Sequence, residues 1–206
     1  MLVLFRVDAG RTVRIRTLAP DCDIDAGGVP LHWLNDVKPP ESVALLNRFA
    51  AGPERMSGSA IGALALHADA SAEAALESLV APERPEWLRL KAIHWLNNLD
   101  LVISLARNDR NPRVRGQALF WLGQKAGQIA IGVITGAIDN DPERDVKRRA
   151  VAALRQLPDG EGIPLLIQLA RANRDPDVRK QAMAMLGQTR DPRAFAFFED
   201  VLKGKL

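Results

Sequence analysis

Asn111-Pro112-Arg113-Val114-Arg115-Gly116-Gln117-Ala118-Leu119-Phe120-Trp121-Leu122-Gly123 is answered further along the chain by Asp175-Pro176-Asp177-Val178-Arg179-Lys180-Gln181-Ala182-Met183-Ala184-Met185-Leu186-Gly187. A third copy lies midway between them, so that Val114, Val146 and Val178 are evenly spaced. Arg115, Lys147 and Arg179 keep the same interval, as do Ala118, Ala150 and Ala182, and Leu122, Leu154 and Leu186. Within each copy the apolar residues fall four apart, which is one face of a helix. An Asn-Pro or Asp-Pro turn (Asn111-Pro112, Asp141-Pro142, Asp175-Pro176) opens each one. A lone helix cannot bury such a stripe, so copies at a fixed interval must stack and cover one another. The expected fold class is all-α, an α-α superhelix of solenoid type, with a short β-hairpin in front.

Upstream of these copies, helices are expected at 41–50, 54–67, 71–80 and 86–96. Ala60 and Leu64 hold the register positions of one, and Ala92 and Leu96 those of another, separated by the same interval. Ala74, Leu76 and Leu79 are the expected core of the helix between them. From Ala92 to Ala118 the interval is shorter, and the shortfall lies between Leu96 and Leu101. The first helix of that third repeat, 99–107, is therefore short. Downstream, helices are expected at 128–138, 145–157, 163–172 and 177–189. A last one follows Asp191-Pro192, with Phe195, Phe197 and Phe198 as bulky end-fillers. Residues 39–206 thus hold about five helical pairs plus a C-terminal helix.

Residues 1–38 read as a hairpin and a linker or cap. Residues 2–7 suit a strand, Asp8-Ala9-Gly10 a turn, and 12–18 a second strand with Val13 and Ile15 on one side and Arg14 and Arg16 on the other. Two strands alone are marginal, so they need a helix to lie on or further strands to join. Pro30 to Leu34 is expected to form a turn of helix shielding the first repeat, with Pro39-Pro40 as its stop. A chain that begins inside a strand is expected to have lost upstream residues.

Apolar residues make up 47% and aromatics 5%, with no tyrosine, which suits helices packed through Ala, Leu, Ile and Val. The net charge is +3 but uneven. Residues 1–82 carry seven Lys/Arg against ten Asp/Glu and residues 83–206 carry twenty-one against fifteen, so the positive excess lies on the repeats. One cysteine, Cys22, allows neither an internal disulfide nor a cysteine-based zinc site. No apolar run approaches the ~20 residues of a membrane span, and the opening Met1-Leu2-Val3-Leu4-Phe5-Arg6 lacks the form of a signal peptide. A cytoplasmic location is expected for the chain as given.

Catalytic chemistry finds little to stand on. His32, His67 and His94 are far apart, and there is no His-x-x-x-His, nucleophile elbow or phosphate loop. His67 is expected to close a helix at its carbonyl end. Asp21, Asp23 and Asp25 alternate as calcium ligands do, but the position for the closing glutamate holds His32. Gly58 and Gly62 read as close helix packing. No enzyme activity, metal or cofactor is expected.

The phrases at 111–123 and 175–187 resemble HEAT repeats, and more narrowly the bacterial HEAT-like type first associated with phycobilisome lyases, over roughly residues 41–203. Asp21-Cys22-Asp23-Ile24-Asp25-Ala26-Gly27-Gly28 and the phrase ending His32-Trp33-Leu34 are similar to the segment that introduces the repeats in a group of uncharacterised bacterial HEAT-repeat proteins. That resemblance implies an upstream region with a secretion signal and further cysteines; with such a precursor, Cys22 would pair upstream in the periplasm. It implies no lyase chemistry, because the family name attaches to the repeat. It also admits a second class, nucleic-acid binding through a basic concave face, as in glycosylases built from HEAT-like arrays. Arg148, Arg149, Arg155, Lys180 and Arg190 would be its basic residues and Trp95 and Trp121 its aromatics, though Asp and Glu are interspersed through the same turns.

The first class is a protein-interaction scaffold, acting as a monomer on a protein partner with an acidic segment and not on a membrane. Its expected contact residues are Trp95, Gln117, Trp121, Lys180 and Met183, which flank the buried stripe of the second helices. Arg115, Lys147 and Arg179 are assigned instead to a register ladder, reaching acidic turns of the adjacent repeat.

Overall fold

The computed structural model describes residues 1–205. Strands β1 (Leu2–Asp8) and β2 (Arg11–Leu18) come first. Helices α1 (Pro39–Ala50), α2 (Glu54–Ala65), α3 (Ser71–Ser78), α4 (Glu86–Ile93), α5 (Leu99–Asn108), α6 (Pro112–Lys125), α7 (Gly127–Asn140), α8 (Arg144–Leu154), α9 (Gly162–Ala172), α10 (Pro176–Gly187) and α11 (Pro192–Leu202) follow. The fold is all-α with a two-stranded antiparallel hairpin in front, as the periodicity requires. The chain divides into two compact units, Met1–Asn97 and Asn98–Leu206. Their boundary falls where the repeat register shortens.

In Met1–Asn97 the hairpin turns at Ala9-Gly10, both with positive φ (47° and 74°), the two-residue turn whose twist matches the strands. Phe5 stands opposite Ile15, Arg6 opposite Arg14 and Leu4 opposite Arg16. One face therefore holds Phe5 and Ile15 and the other the arginines. The apolar face finds the cover it needs: Ile15 is buried where β2 lies on α2, and the Phe5 ring sits 5.7 Å from that of Phe49 on α1. Val43, Leu46 and Ala50 of α1, Ala60 and Leu64 of α2, Leu76 of α3, and Ala92 with Leu96 at α4 fill the core.

Three expectations fail in this unit. Residues 30–34 form no helix, and Leu31, Trp33 and Leu34 are exposed. Gly27 and Gly28 hold positive φ in a turn closed by Asp25 Oδ1, which accepts the Gly27 N–H at 2.7 Å. The few residues left cannot offset the cost of starting a helix. Pro39-Pro40 opens α1 rather than stopping what precedes it, because a proline in the first turn forfeits no helical hydrogen bond. In α3 the buried alanine is Ala72, with Ala74 exposed, so the stripe runs Ala72, Leu76, Leu79 and Val80.

In Asn98–Leu206 the second helices α6 and α10 are each entered through a double turn. Asp109 Oδ1 accepts the Asn111 N–H and Asn111 Oδ1 accepts the Arg113 N–H, both at 2.9 Å. Asn173 and Asp175 repeat the arrangement toward Asp175 and Asp177. Short Asx side chains thereby cap helix starts whose next residue is proline. Ala118, Ala150 and Ala182 are 0% exposed, and Val114, Val146, Leu122, Leu154 and Leu186 are buried with them. Close approach explains two glycines. A Cβ on Gly123 would overlap the Ala153 carbonyl, and one on Gly162 the Leu154 carbonyl. The second helices α6, α8 and α10 touch more extensively than the first helices α5, α7 and α9 do, so within this unit the second-helix layer is the tighter side. At its end Arg193 hydrogen-bonds Asp191, pulling that carboxyl down to about 2, and reaches the Gly160 carbonyl at 3.0 Å. Phe197 is buried under the Arg171 guanidinium, while Phe195 is exposed.

Candidate recognition surface

The cation one helical turn before each buried alanine has one recurring task. Arg115 Nη1 donates to the Asp109 carbonyl at 2.8 Å, Lys147 Nζ to the Asp139 carbonyl at 3.3 Å, and Arg179 Nη1 to the Asn173 carbonyl at 2.7 Å. Each acceptor lies at the end of the preceding helix, where carbonyls lack helical partners and the dipole favours a cation. Position by position the row continues upstream. Arg89 takes the place of Arg115 across the shortened interval, and its Nε donates to the Val80 carbonyl at 2.8 Å. Ser57 takes it one full interval earlier and gives its hydroxyl to the Ala50 carbonyl at 2.8 Å. Both are buried, and sequence reasoning missed both. The shortened interval hides Arg89, and Ser57 performs the same donation without a charge.

The expected ladder to the adjacent repeat is seen only at Arg115 among the described residues. Its Nε and Nη2 grip Asp141 at 2.8 and 2.9 Å, and both side chains are almost wholly buried. Hydrogen bonding to Asp141 raises the Arg115 pKa. Burial by itself would raise the Asp141 carboxyl, but the Arg115 hydrogen bonds, the Glu143 N–H and the nearby positive charges outweigh it and hold the carboxyl low. Lys147 and Arg179 reach carbonyls of their own repeat instead, as a correction to the ladder. For Lys147 the reason is visible: the place equivalent to Asp141, one repeat on, holds the neutral Asn173.

With this row committed to helix ends, the cations that face solvent are others. On α8, Arg148 and Arg149 are exposed, and on α10 Lys180 is exposed. The Arg149 stem lies over Gly116 of α6, where any Cβ would collide with it. Arg149 shares a register row with Gln117 and Gln181, both half-buried, and a second row holds Gln124, Gln156 and Gln188. Phe120 is half-buried between the rows. The result is an amide-rich strip across α6, α8 and α10, with Arg149 at its middle. Acidic groups interrupt the strip toward the helix starts. Asp145 lies 3.8 Å from Arg148, and Asp177 lies 3.0 Å from Arg144.

Of the five expected contact residues, Gln117 lies in this strip and Lys180 borders it. Met183 is half-buried beside it. Trp121 is only 6% exposed and belongs to the core, which removes it from the contact set. Its row explains why: Ala153 and Met185, at the same place on α8 and α10, are buried too. Trp95 occupies that row in the other unit but is 36% exposed. Its ring lies 3.7 Å from where a Gly62 Cβ would stand, an ordinary contact distance that would admit a methyl group, and Gly58 faces open space. Sequence reasoning counts Arg149 only toward the basic character of the nucleic-acid reading, although its place one full interval beyond Gln117 also marks it for this strip.

The histidines do not converge. His67 lies beyond the end of α2 and accepts the Asp69 N–H through Nδ1 at 3.2 Å, rather than meeting a carbonyl of that helix. His94 stacks edge-on against Trp95. No group of three His, Cys, Asp or Glu among the described residues is placed to hold a metal, and no described helix is long and apolar enough to cross a membrane.

A family profile for HEAT repeats matches residues 133–205, a stretch that begins within α7 and includes α8 to α11. The chain is therefore similar to HEAT-repeat proteins there, whose paired helices commonly form scaffolds that bind protein partners. No curated protein matches the chain.

Proposed function

We propose that the chain is a non-catalytic protein-interaction scaffold, of the bacterial HEAT-like type its repeat phrases resemble. Its recognition surface is the strip across α6, α8 and α10, with Gln117, Arg149, Lys180 and Gln181 as its polar contacts and Phe120 and Met183 as its apolar ones. The observation that carries the reading is Arg149. It is an exposed guanidinium with no carboxylate partner among the described residues, laid over Gly116 and flanked by amides that donate and accept. Such a strip suits an acidic peptide segment, whose carboxylates meet the cations while its main chain meets the glutamines. Nucleic acid is the second reading, favoured by Arg148, Arg149 and Lys180 but opposed by Asp145 and Asp177 in the same helix turns.

The test is capture from native extract by the immobilised chain, read by mass spectrometry. Arg149→Glu with Lys180→Glu is expected to lose the captured proteins while circular dichroism and melting stay at parent values. Capture unchanged by the double substitution would end the reading. Duplex DNA binding that falls steeply between low and moderate salt would transfer it to the nucleic-acid class.

A further inference from the structure

The hairpin, in the unit Met1–Asn97, has its own unclaimed surface. A cavity of about 470 Å³ is lined by Ile15, Arg16, Thr17 and Leu18 of β2, with Ser59 and Gly62 of α2 opposite, and Leu66 and Trp95 just beyond the ends of α2 and α4. Consecutive strand residues point to opposite faces. A cavity touched by four in a row must therefore run along an edge of the strand rather than under one face. β1 occupies one edge of β2, and the sheet has two strands among the described residues, so among them this edge is unpaired. Beside it stand exposed apolar groups, Trp95 at 36% and Leu66 at 59%.

Charge adds a second, independent observation. Arg6, Arg14 and Arg16 share the solvent face of the hairpin, and Arg6 lies directly opposite Arg14. Like charges so placed cost stability. None of the three meets a carboxylate among the described residues.

We infer that the free edge of β2 receives an extended peptide segment of a partner protein as a third strand, with acidic residues alternating with apolar ones. The alternation follows from the pleat. Side chains of an added strand on the solvent face would lie beside Arg14 and Arg16, which selects Asp or Glu. Those between them would point to the helix side, where Gly62, Leu66 and Trp95 leave an apolar space. Main-chain hydrogen bonds supply the attachment and the alternate side chains supply the selectivity. A second copy of this chain is disfavoured as occupant, because pairing β2 with β2 sets arginine against arginine.

The probe is a fluorescein-labelled octapeptide with Asp or Glu at every second position and Val or Leu between, followed by fluorescence anisotropy on the full chain. It is expected to bind, with Arg14→Glu weakening it about tenfold or more through charge alone. Leu66→Ser is expected to weaken it through the apolar space, and melting of both variants should match the parent because both side chains are exposed. Methylating alternate backbone nitrogens of the peptide is expected to abolish binding while leaving its charge intact. Any of five results overturns the inference: no binding up to roughly 1 mM peptide; indifference to Arg14→Glu; equal binding by the N-methylated peptide; displacement by oligothymidylate at equal concentration; or a self-associated chain whose dissociation exposes the site. Lys180→Glu should leave the probe unaffected, and a loss there equal to that of Arg14→Glu would mean that the peptide reads the other surface.

Discussion

Arg115 and Asp141 illustrate how much one side chain's neighbours decide. Arg115 is buried, and its charge is tolerable because Asp141 takes two of its donors and the Asp109 carbonyl a third. Removing one partner from such a pair costs more than the pair itself contributes, because a buried charge is left behind. Asp141→Asn is therefore expected to lower unfolding free energy by about 3 kcal/mol, measured by urea titration at pH 7. The sign with pH follows from the depressed Asp141 carboxyl. Its contribution is full above the unfolded-state value of about 3.9 and is lost as pH falls through the lower folded value. The gap between parent and variant should accordingly narrow on acidification below about pH 4, and a constant gap would refute the assignment. At the next repeat Lys147 lacks such a partner because Asn173 is neutral. Lys147→Arg combined with Asn173→Asp is expected to create a second clasp and raise the melting temperature by a few degrees, with either change alone giving less.

At the scale of elements, legibility tracks periodicity. The helices of 39–202 can be placed because their buried stripe repeats, and Ala118, Ala150 and Ala182 are buried as the spacing demands. What spacing does not convey is how wide the buried stripe is. Trp121 lies just short of one turn beyond Ala118, and whether that place faces solvent depends on how closely α8 approaches α6. Gly123 against the Ala153 carbonyl sets that approach, and it leaves Trp121 inside. Residues 19–38 are the least legible, since their turns and prolines have no period and their local order rests on one Asx contact, two backbone turn hydrogen bonds and two positive-φ glycines. The tight contacts give a direct prediction. Gly162→Val forces a side chain into the Leu154 carbonyl and should destabilise the chain by about 1–3 kcal/mol, read as a lower urea midpoint with unchanged slope. Gly58→Ala, facing open space within α2, should be neutral or slightly stabilising in the same assay.

For the molecule as a whole, the sequence carries the architecture far better than the surface. Net charge places the positive excess on the repeats, yet part of that charge is occupied at helix ends by Arg89, Arg115, Lys147 and Arg179. Counting cations therefore overstates the basic face, and only the donors' partners reveal which remain for recognition. The register break between Leu96 and Leu101 coincides with the unit boundary at Asn97 and Asn98. Residues 98–206 hold three helical pairs and α11 around their own core, so expressed alone they should keep their helicity and melt cooperatively. A broad, non-cooperative loss of ellipticity would contradict this.

Lys147 and Arg179 find their acceptors inside their own helical pair, so a block one repeat long taken from this end of the chain carries both halves of the contact with it. Tandem duplication of such a block would orphan no cation, and the array could lengthen here in one genetic event. Excision of the block bearing Asp141 has no such freedom, since it would strand a guanidinium in a dry interior.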